Sequence, residues 1–206
     1  MGDAAFIADL DDGTRGVYRP VSGENVGDLG RRELAASRLD QMLGFDRVPT
    51  TAMIDGPRGP GTLQVFAEGA GPSRPAEDYP LVQRHQMAVL DYLAGNTDRH
   101  PGTYLTGQDG SVIAVDHGFS FPDGTRDPIR SDFVRDHLNQ PLDPSVVSAV
   151  RGVDPAHLRQ MLRYSGLSDM AIDLSVARLE EVQHHGMITG DSWPGKLVDA
   201  DWNPVG

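Results

Sequence analysis

Hydrophobic periodicity changes once along this chain, and the change restricts the folds open to it. Up to about residue 68 the apolar residues fall in short, turn-bounded runs of strand character, with one helical stretch among them. Residues 5–10 and 14–19 flank Asp11-Asp12-Gly13 and predict a β-hairpin. Residues 31–43 place Leu34, Ala35, Leu39 and Met42-Leu43 at helical spacing and stop at Gly44. Residues 48–54 and 62–66 are β-branched or aromatic runs between Gly and Pro, which predict two further strands.

The remainder reads differently. Residues 69–80 carry three Pro and two Gly, which suits a connection, and residues 81–94 then form a strongly patterned helix. Short strands at 104–105 and 112–115 precede a helical pattern that runs from Gly124 to about Met187. Asp127-Pro128, Asp143-Pro144 and Asp154-Pro155 each read as a helix start, with Asp as N-cap and Pro at the first helical position. Ile172, Val176 and Leu179 mark a face of the last helix, and residues from about 192 lack periodicity and read as an irregular tail. The expectation is an α+β fold: one domain over 1–206, with a β-rich N-lobe (1–68), a mostly helical C-lobe (69–206) and a ligand cleft between them.

Composition narrows the chemistry. Thirty acidic residues against 18 basic ones give a net charge of −12, the wrong balance for a general nucleic-acid binder. The absence of cysteine removes disulfides, thiolate metal sites and a cysteine nucleophile. With no apolar run near the roughly 18 residues of a membrane helix and no signal-peptide pattern, a cytoplasmic protein without a membrane partner is expected. Seventeen of the basic residues are Arg, a bias that fits a GC-rich bacterial genome; the sole lysine is Lys196. A mechanism that needs a catalytic lysine must use Lys196 or do without.

The segment richest in chemistry is 95–121. Asp98 falls in a loop after a helix, and Asp116 ends a short strand 18 positions later. A hairpin between them brings two carboxylates to one edge, where one can accept a hydroxyl proton and the other can hold a hard divalent cation. The bland alternative is that Asp98 braces a turn. His100 and His117 lack the Cys or paired-helix context of a zinc site, and His184-His185, at a helix end, suits a structural role.

These residues resemble the phosphatidylinositol 3/4-kinase-like branch of the protein-kinase fold, especially its small bacterial members. Asp98-Arg99-His100 resembles that branch's catalytic loop, and Asp116-His117-Gly118 its metal-binding Asp-Phe-Gly motif. Val17-Tyr18-Arg19-Pro20-Val21 with Gly23-Glu24 resembles its Val-Tyr-Lys-Pro strand. Glu33 resembles the helix glutamate that pairs with that strand's basic residue, and Leu63-Gln64-Val65-Phe66 stands where the interlobe hinge meets adenine. The resemblance spans about residues 5–121. It implies ATP and Mg²⁺ as cofactors and a hydroxyl-bearing small molecule, peptide or protein as acceptor. It casts Asp98 as base or acceptor-orienting group and His100 as a neighbour of the transferred phosphoryl. Asp116 becomes the metal ligand, Arg19 (held by Glu33) the phosphate contact, and Gln64, Val65 and Phe66 the adenine contacts.

Three departures keep a second function open. Arg19 replaces the strand lysine, Thr103 stands where the family carries a second metal-binding Asn, and Met1 to Ala5 is all that could serve as the strand expected before the phosphate-covering loop. They fit either an active phosphotransferase or a kinase-fold protein without phosphoryl transfer, a pseudokinase or a cleft reused for other chemistry such as peptide natural-product modification.

Overall fold

The first two strands form the hairpin that their apolar pattern asks for. In the computed structural model, which describes residues 5–11, 13–20 and 26–205, β1 (Phe6–Asp9) and β2 (Arg15–Pro20) pair antiparallel, with Ile7 opposite Val17. Asp12, Val21, Gly23 and Glu24 lie outside the described residues. α1 (Val26–Leu43) starts earlier than its apolar pattern indicates, and it buries Leu34, Ala35, Leu39 and Leu43. β3 (Thr51–Gly56) and β4 (Gly59–Val65) form a second hairpin, and the sheet order is β1-β2-β4-β3. This sheet and α1 make the N-lobe.

α2 (Leu81–Ala94) is the axis of the C-lobe. Every side chain from Met87 to Ala94 is buried, so the C-terminal half of the helix is covered on all sides, while its first turn, at Leu81 and Val82, is exposed. Each of its fully buried leucines contributes about 1.5–3 kcal/mol. Gly95 ends it at φ 59°, a left-handed cap that needs no Cβ. β5 (Gly71–Pro72), β6 (Tyr104–Thr106) and β7 (Val112–Ala114) form a small antiparallel sheet, and β6 and β7 are the hairpin expected between Asp98 and Asp116.

One later expectation is corrected. Asp127-Pro128 starts no helix: Pro128 leads into β8 (Ile129–Arg130), whose buried Ile129 pairs in parallel with Leu197 of β9 (Leu197–Val198). The helix begins after Ser131, whose hydroxyl caps α3 (Asp132–His137) by accepting from Val134 N. The other two Asp-Pro starts hold, as Asp143 caps α4 (Pro144–Arg151) and Asp154 caps α5 (Pro155–Tyr164). α6 (Asp169–His185) follows. The segment after 192 is irregular apart from β9, but it is packed against the C-lobe. Trp193 is 3% exposed, Val198 5%, and β9 ties the segment to β8. Among the described residues no helix is long and apolar enough to cross a membrane.

Candidate active site

Where the sheet, α1 and the loop after β7 meet, they enclose a cleft of about 340 Å³. β2 and β4 contribute Arg19 and Thr62, α1 contributes Leu29, Gly30 and Glu33, and the loop contributes Asp116, Gly118 and Phe119. Asp116 is exposed, holds φ 59°, and makes no hydrogen bond or ion pair among the described residues. A left-handed non-glycine residue is uncommon, although Asp tolerates the region better than most. α1 passes close enough that a Cβ on Gly118 would sit 3.3 Å from Leu29 Cδ2.

Glu33 anchors that approach. It is 4% exposed, and its Oε1 accepts from the His117 backbone N–H at 2.8 Å. Burial pushes the Glu33 carboxyl up, and the hydrogen bonding of His117 with the charge of Arg19 more than offsets this, leaving it below the usual carboxylate range. The expected Arg19–Glu33 pair is therefore corrected. The two residues share the cleft and Arg19 acts on Glu33 through its charge, but no ion pair within 4.0 Å joins them, and the contact Glu33 makes is with the His117 backbone N–H.

Asp98 and His100 lie on the adjacent loop, outside the lining of this cleft. Thr97 donates to Phe119 O from both N (3.2 Å) and Oγ1 (2.8 Å), and Val115 N donates to Thr103 O at 3.1 Å, so the two loops are stitched edge to edge. Asp98 Oδ1 accepts from Arg130 Nη1 at 2.6 Å, and His100 Nε2 stands 3.8 Å from Asp98 Oδ2. His100 Nδ1 accepts from Gly102 N at 3.0 Å, which leaves the ring proton on Nε2, the nitrogen that faces Asp98.

Two assignments do not survive the geometry. Thr103 is 2% exposed, and its Oγ1 is spent inward, between His100 N (3.1 Å) and the carbonyls of His100 (3.0 Å) and Asp98 (3.3 Å). It braces the loop and is not available to a metal. Gln64, Val65 and Phe66 do not reach the cleft of Arg19 and Asp116. Gln64 is buried with its amide on Thr51 Oγ1 (3.0 Å), while Val65 N and Phe66 N already donate to Thr50 O and Arg15 O, each at 2.9 Å. The strand sits inside the sheet, and its amides serve neighbouring strands.

Sequence reasoning missed the residues that hold the loops in place. Arg99, 1% exposed, donates through Nε to Asp91 Oδ1 (3.0 Å), through Nη1 to Thr103 O and Val115 O, and through Nη2 to His117 Nε2 (2.9 Å). Asp91 also accepts from Asn96 Nδ2 (3.2 Å) and Ser131 Oγ (2.8 Å). The signal was present, since a carboxylate inside the apolar run 87–94 must find partners when buried. Arg130 carried no such signal.

A Mg²⁺ ion shared with a nucleotide takes one or two carboxylates and completes its octahedron from phosphate oxygens and water. The exposed, unpaired Asp116 carboxylate suits that share, and Arg19 beside it suits phosphate. Fold and site together have the form of a kinase-like domain. The profile of the family described as "Phosphatidylinositol 3- and 4-kinase" matches residues 51–140. Protein Rv2133c of Mycobacterium tuberculosis is 30% identical over 200 residues, which cover 75% of this chain and 71% of that protein. Phosphatidylinositol 4-kinase gamma 4 of Oryza sativa is 28% identical over 168 residues, covering 70% of this chain and 29% of that protein. For phosphatidylinositol 4-kinase gamma 3 of Arabidopsis thaliana the values are 28% over 181 residues, 70% and 31%, so the chain spans under a third of either plant protein. The crystal structure of a Helicobacter pylori proinflammatory kinase, CtkA, shares the fold at 11% identity with a TM-score of 0.56, covering 91% of this chain and 90% of that one. The chain belongs to the phosphatidylinositol 3/4-kinase-like family and has its bilobal, kinase-like fold.

Proposed function

We propose that the chain is an ATP- and Mg²⁺-dependent phosphotransferase acting on a hydroxyl. The observation that carries this is the free Asp116 carboxylate in one cleft with Arg19 and Glu33, edge to edge with the Asp98 loop. Arg19 contacts the nucleotide phosphates, and Glu33 holds α1 against the Asp116 loop. Asp116 would hold Mg²⁺, which would supply charge neutralisation to the nucleotide phosphates. Asp98, oriented by Arg130, accepts the acceptor's hydroxyl proton as its oxygen bonds to the γ-phosphorus and the bond to ADP breaks. The Nε2–H of His100 lies beside that carboxylate, where charge changes during transfer.

The inward-turned Thr103 favours a second reading. Without a second metal ligand at that position, the cleft binds nucleotide and transfers nothing, or serves another chemistry. Radiolabelled γ-phosphate transfer and release, measured for the wild type, Asp98→Asn and Asp116→Asn, separates the two. A general base contributes about 10²–10⁴-fold, so Asp98→Asn should lose at least about 10² in turnover, and Asp116→Asn should lose the magnesium-dependent turnover. Turnover that persists undiminished in both variants refutes the phosphotransferase reading, and a wild type that binds nucleotide without turnover establishes the second.

A further inference from the structure

The C-terminal residues build a second concave feature beside the Asp98 loop. Between residues 125–128 and 194–204 lies a groove of about 550 Å³. Its lining includes Arg126, Lys196, Trp202, Pro128, Pro194 and Val198, and no carboxylate lines it among the described residues. In a chain with 30 acidic residues and 18 basic ones, a groove lined by two cations and no acid departs from the average surface, and one of the two is the sole lysine. The nearby Asp127 and Asp201 are exposed but stand outside the lining.

Trp202 joins this groove to the site. It is 56% exposed and holds φ 68°, a conformation a bulky residue rarely adopts. Such a conformation persists only where its surroundings enforce it. Here Trp202 N donates to Asp199 O at 3.1 Å, and the Asp199 carboxylate accepts from Asp201 N (2.9 Å) and Asn203 N (2.8 Å). Over the indole lies the guanidinium of Arg130, 4.7 Å from the ring centroid. That guanidinium is fixed by Ala200 O through Nε (3.0 Å) and by Asp98 through Nη1 (2.6 Å). One ring and one guanidinium separate the groove from the Asp98 carboxylate.

We propose that this groove docks the acceptor, and that the acceptor is an acidic peptide segment. Its carboxylates lie against Arg126 and Lys196, and its hydroxyl-bearing residue passes over Trp202 toward Asp98. The proposal rests on the phosphotransferase reading for the acceptor's role. A concave, proline-walled groove fits an extended chain, whereas patches that meet anionic membranes carry about 4–8 cations. The net charge of −12 repels an acidic ligand at long range, but screening confines that repulsion to about 8 Å at physiological salt, and the local pair of cations decides binding.

The test uses the full chain and two synthetic serine peptides, one flanked by glutamates and one by lysines. Trp193 is 3% exposed, so acrylamide quenching reports Trp202. The glutamate peptide should protect Trp202 and the lysine peptide should not. Arg126→Glu with Lys196→Glu should raise the glutamate peptide's Kd about tenfold and leave the Mg-ATP melting shift unchanged. Equal protection by both peptides, or a Kd untouched by the double reversal, overturns the proposal. Protection only by phosphatidylcholine vesicles doped with phosphatidylserine overturns it in favour of a lipid surface. Peptide binding without any Mg-ATP shift instead refutes the phosphotransferase reading and removes the acceptor role.

Discussion

Arg99 Nη2 lies 2.9 Å from His117 Nε2, and because a guanidinium only donates, the imidazole accepts there and carries its proton on Nδ1. That Nδ1–H stands 3.8 Å from Glu33 Oε2, and neither atom has a hydrogen-bond partner. A buried polar chain, Asp91–Arg99–His117–Glu33, thus links α2, the Asp98 loop, the Asp116 loop and α1. The cleft's geometry depends on groups that are buried or nearly so.

The Asp91–Arg99 pair is buried on both sides, so removing one partner strands a charge. Asp91→Ala is expected to cost about 3–5 kcal/mol, which lowers Tm by roughly 6–20 °C for a domain this size. Calorimetry checks it. A fall of a degree or two would mean that the pair is not the brace described here.

Thr103 offers a finer probe of the loop. Thr103→Val keeps the shape and deletes the hydroxyl, leaving His100 N without its acceptor, at an expected cost of about 1–3 kcal/mol. Thr103→Ser retains the hydroxyl and should stay much closer to the wild type in chemical denaturation. Equal stability of the Val and wild-type proteins would contradict the bracing role.

Much of this architecture was legible in the sequence, for identifiable reasons. The hairpins and α2 announce themselves by local pattern, as do two of the three Asp-Pro caps, whose donors lie within two residues. Asp127-Pro128 misled because the fate of Ile129 is set by Leu197, far along the chain, and no local pattern encodes that pairing. The same long reach hid Arg130 and Trp202. Asp98 and Asp116 could be singled out because carboxylates in turns after regular elements are chemically conspicuous. Gln64, Val65 and Phe66 could not be placed, since a strand's neighbours, not its residues, decide whether its amides are free.

Acid should weaken the C-lobe before the carboxylates titrate. His137 is 4% exposed, both ring nitrogens lack partners, and its ring meets His85 edge-on at 4.3 Å. Burial, then the charges of His85 and Arg84, push its pKa down to about 4 against the opposing pull of Asp136, and burial lowers His85 as well. The unfolded chain therefore takes up a proton that the folded chain refuses, so stability falls as pH drops from about 6.5 toward 4. Urea midpoints at pH 7.5 and 5.5 should differ in the wild type and draw together in His137→Leu. An unchanged difference in that variant would place the acid sensitivity elsewhere.

The most direct test of the central claim is thermal melting with and without Mg-ATP, in the wild type and in Asp116→Asn. At about 100 times Kd a ligand of the native state adds roughly 2.7 kcal/mol, a rise of about 5–10 °C here. A metal–nucleotide site at Asp116 gives a magnesium-dependent rise of that size in the wild type and its loss in Asp116→Asn. No rise, or the same rise in both proteins, would show that the cleft of Arg19, Glu33 and Asp116 is not a metal–nucleotide site.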